Sequence, residues 1–236
     1  MVFIFYAWFR EALEREFEQV KLLKESERGT VALVRHRGSG QRFVLRSFVG
    51  NAEVYRRLLD WECPNLPKVF EAASDEDRNL VLEEYIQGDN MGTMLEDALF
   101  SVRETRRIAR QLCRALWVLH SMGAVHRDVK PENVVLRGRD AVLIDFDAAR
   151  IHKDGAEGDT QILGTTGFAA PEQYGMSQSD AASDIYSLGI LINVMLTGRH
   201  PSQQLAEGRW GRIVIRCTQV NPAKRYKNVL RLLDEL

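Results

Sequence analysis

Residues 126–147, HRDVKPENVVLRGRDAVLIDFD, constrain the fold of this chain more than any other stretch. Two short apolar runs, VVL at 134–136 and AVLI at 141–144, flank the polar turn RGRD and predict a small antiparallel hairpin. Asn133 stands just before the first strand and Asp145 just after the second. In an antiparallel pair those ends are neighbours, so an amide oxygen and a carboxylate come together. Hard oxygen ligands of this kind suit Mg²⁺, which takes one or two such groups together with phosphate oxygens. Asp128 lies five residues before Asn133, placed to orient a hydroxyl nucleophile or accept its proton. Lys130 is placed to neutralise charge developing on a transferred phosphoryl group. The competing reading is a polar loop whose carboxylates only cap backbone groups. For any single residue that reading is the better one; for the set in this order it is the weaker.

The rest of the chain divides into a strand-rich and a helix-rich half. VKLL, TVALVRH and QRFVLRSF within residues 20–49 read as strands, and the RGSG turn between the last two predicts a hairpin. AEVYRRLLDW at 52–61 predicts a short helix ended by Pro64, and VFEAAS and NLVLEEYI predict two further strands separated by DEDR. From Gln87 the pattern turns helical. Ile108, Leu112, Ala115, Leu116 and Leu119 recur at three- and four-residue spacing, the buried face of a helix over 102–121 that Gly123 closes. SDIYSLGILINVMLT at 183–197 predicts a second apolar helix with Ser183 or Asp184 near its cap, and KNVLRLLDEL a last one after Pro222. This order predicts an α+β fold in two lobes, residues 1–86 and 87–236, with a ligand cleft at the Gln87–Gly88 seam.

Composition narrows the classes. Hydrophobic residues make up 45% of the 236, enough for a sizeable core. A formal net charge of −1 argues against nucleic acid or an anionic membrane as partner. The three cysteines, Cys63, Cys113 and Cys217, are far apart and lack C-x-x-C spacing, which argues against a disulfide framework or zinc and for a cytoplasmic location. The opening MVFIFYAWF is too short to span a bilayer, has no basic flank before it, and is a poor signal peptide. No later segment is long and apolar enough to cross a membrane. REALEREFEQV places Phe9, Leu13 and Phe17 four apart with Val20 behind them, one apolar stripe on a charged helix. That stripe either packs on the rest of the domain or serves self-association, a partner or a membrane surface.

HRDVKPEN resembles the catalytic loop of protein kinases, and other motifs follow in that family's order. The resemblance implies Asp128 as catalytic base, Lys130 as the phosphate-facing lysine, and Asn133 and Asp145 as metal ligands. DFD at 145–147 stands where the family has DFG, and AAPE at 169–172 is similar to the close of the activation segment. Asp184 resembles the aspartate that braces the catalytic loop, and Arg225 in NPAKRY the arginine that pairs with Glu172. Lys130 is similar to the serine/threonine branch, and GTTGFAAPEQYG with DFDAAR to bacterial, Firmicutes-type kinases. The resemblance implies a small antiparallel-sheet N-lobe, a mainly helical C-lobe, ATP and Mg²⁺ as cofactors, and a protein substrate. Around ATP it implies Gly29, Val31, Val44, Arg46, Glu53, Glu84 and Ile86.

The strand-rich half departs from the pattern. Only the last glycine of the glycine-rich loop, Gly29, is kept; Lys24 and Ser26 stand at the other two positions. Arg46 stands where the family has its ATP-gripping lysine, and arginine is larger and forked, so the exchange is not conservative. Glu53, on the following helix, is the partner the family pattern implies. Glu83 falls at the usually apolar gatekeeper position, where a carboxylate facing the pocket needs a partner. Either acid is therefore a candidate partner for Arg46. Asp147 replaces a glycine that lets the segment swing, and either stiffens it, adds a carboxylate near the metals, or faces solvent. Thr160 and Thr166 are candidate phosphosites beside Arg127, with Thr165 a structural threonine. The stretch 201–213 is short for a substrate-docking helix. These departures keep a second class open, a pseudokinase that signals by conformation. Lys130 and AAPE disfavour a third, a small-molecule phosphotransferase.

Overall fold

The computed structural model describes residues 2–151, 167–174 and 180–236. They form two compact units, residues 1–63 with 67–86, and residues 64–66 with 87–236.

The first unit begins with helix α1 (Val2–Glu16), followed by strands β1 (Phe17–Ser26), β2 (Gly29–His36) and β3 (Arg42–Val49). Helix α2 (Glu53–Leu58) and strands β4 (Val69–Asp75) and β5 (Arg78–Glu84) complete it. The strands make one antiparallel sheet in the order β1-β2-β3-β5-β4. Strand alternation divides its residues between two faces. Ala32, Val34, Phe43, Ala73, Leu80 and Leu82 form one face, and Tyr6, Phe9 and Leu13 of α1 bury against it. Each of the larger side chains among them, such as Phe9, Leu13 and Leu80, contributes about 1.5–3 kcal/mol of burial. The apolar N-terminal stripe is thus largely internal packing. It is also shorter than its period suggests, because the helix ends at Glu16. Phe17 opens β1 opposite His36, with its ring edge on Phe43 at 5.5 Å, and Val20 is exposed. Phe17 still reaches the same core, which is why a helical period ran through it.

Gly29 of β2 has no room for a side chain against the backbone of β3. Its φ is +148°, and a Cβ there would stand 2.0 Å from the Ser47 carbonyl oxygen. Gly29→Ala should cost at least about 1–3 kcal/mol by overpacking. Urea denaturation reads this directly, and a variant as stable as the wild type would mean that the two strands part without cost.

The second unit contains β6 (Asp89–Asn90), α3 (Met91–Asp97), α4 (Val102–Ser121) and β7 (Ala124–Val125). It continues with β8 (Val134–Arg137), β9 (Asp140–Leu143), β10 (Arg150–Ile151), α5 (Ala181–Thr197), α6 (Gly208–Cys217) and α7 (Val229–Glu235). A Ser101–Glu104 capping box starts α4, and Gly123 at φ +73° follows its end. Ile108, Leu112, Ala115, Leu116 and Leu119 are fully buried, as the period predicts. α5 is apolar on nearly every side and correspondingly buried, with α6 against it and α7 against α4. Its cap is Asp180, whose carboxylate accepts the Ala182 amide at 2.7 Å. Ser183 and Asp184 lie inside the helix, fully buried, and bind elsewhere.

β8 and β9 pair from Val134↔Leu143 to Arg137↔Asp140, the predicted hairpin. Residues 64–66 line it: Asn65 donates to the Ala141 carbonyl at 2.8 Å and accepts the Leu143 amide at 2.9 Å. Pro64 therefore does not end α2, which stops six residues earlier at Leu58. Between α5 and α6, residues 198–207 contain no helix. Among the described residues no helix is long and apolar enough to cross a membrane.

Candidate active site

The loop between β7 and β8 is organised by Asp184 of α5. Its Oδ1 accepts the Arg127 amide at 2.8 Å and its Oδ2 the His126 amide at 2.9 Å. His120 Nε2, from the last turn of α4, stands 2.8 Å from the same Oδ2. Full burial opposes a charge on Asp184, but His120 and the His126 amide outweigh it and hold the carboxyl below its ordinary range. The strain this loop carries is visible at Arg127, which has φ +68° without being glycine. Gln173, completely buried, donates to the Arg127 carbonyl at 2.8 Å and accepts the Ala170 amide at 2.9 Å. It ties residues 170–173 to the loop.

His126 is buried, and burial pushes its pKa down against the pull of Asp184 and its other neighbours. Its Nδ1 is 3.3 Å from the Asp128 amide and its Nε2 3.3 Å from the Ile144 carbonyl. A neutral ring carrying its proton on Nε2 satisfies both contacts. Its edge meets Phe146 with ring centroids 5.6 Å apart. The histidine thus spans from the loop to the far end of the hairpin.

Asp128 gathers the next residues. Its Oδ2 is 2.9 Å from Lys130 Nζ and accepts Asn133 Nδ2 at 2.9 Å, while its carbonyl accepts the same nitrogen at 2.8 Å. Both Asn133 donors therefore point at Asp128, which leaves the amide oxygen as the end able to meet a cation. The Ile144 amide donates to the Asn133 carbonyl at 2.9 Å, so Asn133 and the residue before Asp145 are hydrogen-bonded neighbours. Asp145 has φ +68°, and its Oδ1 accepts the Asp147 amide at 3.3 Å. Asp147 itself is exposed and lies outside the left-handed region, so aspartate fits there without the strain that would call for glycine. Among the described residues no cluster of three or more His, Cys, Asp or Glu could hold a metal ion. The oxygens of Asn133 and Asp145 remain a hard-donor pair suited to a cation that also binds phosphate.

Glu172 and Arg225 form a second buried centre. Arg225 grips the carboxylate with two bonds, of 2.6 and 2.9 Å, and Ser183 adds a third of 2.8 Å. Burial works against the Glu172 charge, but Arg225 and Ser183 hold its carboxyl below the usual range. A cavity of about 440 Å³ opens beside the catalytic-loop segment, walled by Leu95, Glu96, Pro131, Glu132 and Phe168 among others.

In the first unit, Val31, Val44 and Arg46 share one sheet face with Val81 and Glu83, because Val31 pairs with Arg46 and Val44 with Glu83. Arg46 Nε donates to Glu83 Oε1 at 2.7 Å, and its guanidinium lies 5.9 Å from the Tyr55 ring. Glu53 is not in this pair. Its carboxylate accepts Arg57 at 3.1 Å and Arg56 at 3.5 Å on its own helix, because one helical turn brings those cations closer than the sheet does. Glu84 accepts the Lys68 amide at 3.3 Å, and Ile86 is buried at the end of the unit. Thr160, Thr165 and Thr166 lie outside the described residues. Gln173, His120 and Asn65 carry no signal in the sequence pattern. Each is a single polar residue whose partners are distant along the chain.

Comparison with known proteins places this geometry. The protein kinase domain family matches residues 18–230. Serine/threonine-protein kinase D of Synechocystis sp. is 30% identical over 72% of this chain and 38% of its own length. A probable serine/threonine-protein kinase, pknA2 of Bifidobacterium longum, is 36% identical over 58% of the chain and 19% of its own. Serine/threonine-protein kinase pkn2 of Myxococcus xanthus is 32% identical over 66% of the chain and 20% of its own. The chain thus corresponds to between 19% and 38% of the length of these bacterial relatives. With the catalytic-loop, hairpin and Glu172–Arg225 motifs all built as the family orders them, the chain belongs to the protein kinase family.

Proposed function

We propose that the chain transfers the γ-phosphoryl group of ATP to serine or threonine hydroxyls of a protein. One observation carries the reading: Asp128 holds Lys130 and Asn133 at the mouth of the hairpin that ends in Asp145. In this reading Asp128 orients the acceptor hydroxyl and takes its proton, and Lys130 faces the charge on the moving phosphoryl group. The Asn133 amide oxygen and the Asp145 carboxylate would hold Mg²⁺, whose positive charge would favour the phosphate-bearing nucleotide there. Gly29, Val31, Val44, Arg46, Glu84 and Ile86 surround the nucleotide. The cavity beside Glu132 and Phe168 offers the acceptor segment a place to dock. Presence of Asp128, Asn133 and Asp145 together speaks against the pseudokinase alternative. A cytoplasmic setting is in keeping with three free cysteines, of which Cys113 and Cys217 are buried. Self-association through α1 would fall to Phe5 and Trp8, which stay exposed and stacked while Tyr6, Phe9 and Leu13 face the sheet.

The test is incubation with γ-labelled ATP, Mg²⁺ and a generic protein substrate. Label should reach serine or threonine, depend on Mg²⁺, and vanish with Asp128→Asn. Equal labelling by wild type and Asp128→Asn would remove the reading.

A further inference from the structure

Activity in protein kinases commonly depends on a strand β3 lysine paired with a glutamate on the following helix, so that movement of the helix switches the site. This chain builds the pair differently. Arg46 stands opposite Val81 and Glu83 opposite Val44, which makes Arg46 and Glu83 diagonal neighbours on one face of adjacent strands. The bond between them is 2.7 Å, and the two side chains are only 6% and 4% exposed. Ladder register therefore sets the pair, and no residue of α2 supplies its carboxylate.

The helix, in turn, is anchored by other groups. Val54, Tyr55 and Leu58 are buried. Arg56 donates to Ser74 at 2.6 Å, Ser74 to Asn79 at 2.6 Å, and Asn79 to the Gly50 carbonyl at 2.8 Å. This chain of bonds ties α2 to the β4–β5 turn. Glu53 remains 38% exposed beside Arg56 and Arg57.

We propose that Glu83 is the positioning residue for the nucleotide-gripping cation Arg46, and that the carboxylate which orients it comes from the sheet and not from α2. The proposal rests on the kinase reading above. Its consequence is that the ion pair itself is internal to the sheet, while α2 meets Arg46 through the Tyr55 ring at 5.9 Å.

The test measures binding of ATP with Mg²⁺, and of adenosine, by calorimetry on the full chain. Glu83→Gln should weaken ATP by about tenfold or more, as expected when a charge-assisted hydrogen bond that orients a phosphate ligand is lost. Adenosine, which offers Arg46 no phosphate, should bind as to wild type. Glu53→Gln should change ATP affinity by less than about twofold, the range for an exposed ion pair. If Glu83→Gln does not fold, Glu83→Asp keeps the charge, shortens the reach and carries the same comparison. Equal losses of ATP and adenosine would reduce Glu83 to a structural role. A loss in Glu53→Gln matching that in the Glu83 variants would restore the helix-coupled pair. Either result overturns the proposal. Wild-type protein that binds no ATP would instead defeat the kinase reading, and this proposal with it.

Discussion

Asp128→Asn is expected to lower kcat by about 10²–10⁴-fold, the usual contribution of a positioned general base. The substitution preserves shape. Asparagine can turn its oxygen toward Lys130 Nζ and Asn133 Nδ2, the two groups that meet Asp128 Oδ2 at 2.9 Å. The loop is also held from outside by Asp184, which accepts the His126 and Arg127 amides. The fold and the nucleotide site should therefore survive, and only the ability to accept a proton should go. Steady-state assay against ATP separates these effects: kcat falls, while the KM for ATP and the melting temperature stay close to wild type. A fall of less than about tenfold would take Asp128 out of the base role.

Arg225→Ala should destabilise the second unit by about 3–5 kcal/mol, the cost of stranding one member of a buried ion pair. At about 2–4 °C per kcal/mol for a domain of this size, the melting temperature drops by about 6–20 °C. The reason lies in the partners. Arg225 is almost wholly buried and makes two bonds to Glu172, and further bonds to the Gln219 and Ala182 carbonyls at 2.8 and 2.9 Å. Removing it leaves the buried Glu172 carboxylate without its cation, held by the neutral Ser183 hydroxyl. Acid should reveal the same pair in the wild type. The folded pKa of Glu172 is lowered from its ordinary 4.5, so its stabilisation is present above 4.5 and is lost as pH falls through the folded value. The stability gap between wild type and Glu172→Gln should accordingly be full at neutral pH and close on acidification below 4.5. A gap that widened instead would mean that the carboxyl is not held ionised by Arg225.

Elements with a strong local period are legible in the residue pattern itself. The face of α4 shows in its spacing because each helical turn repeats the same demand for burial. The 134–144 hairpin shows because two apolar runs meet at a short turn containing Gly138, which has φ +61°. Periodicity misleads where helix and strand serve one core. Phe17 fits a helical stripe and equally a strand opposite His36, and only pairing with β2 decides between them. Ser183 and Asp184 resemble caps because both residue types favour helix starts, but their oxygens are engaged by Arg225's partner Glu172 and by the catalytic-loop amides.

The stretch HRDVKPEN, its distance to Asp145 and the order of motifs after it determined the family and singled out the candidate site residues, since those are local matters of residue type and spacing. Tertiary structure decided the rest. The residue pattern left two candidate partners for Arg46: Glu53, seven residues away, which the family pattern implied, and Glu83, thirty-seven away. Antiparallel register between β3 and β5 put Glu83 beside Arg46, and a helical turn gave Glu53 to Arg56 and Arg57. Which of two carboxylates meets a buried cation is set by the ladder that brings distant strands together, and no local pattern records it.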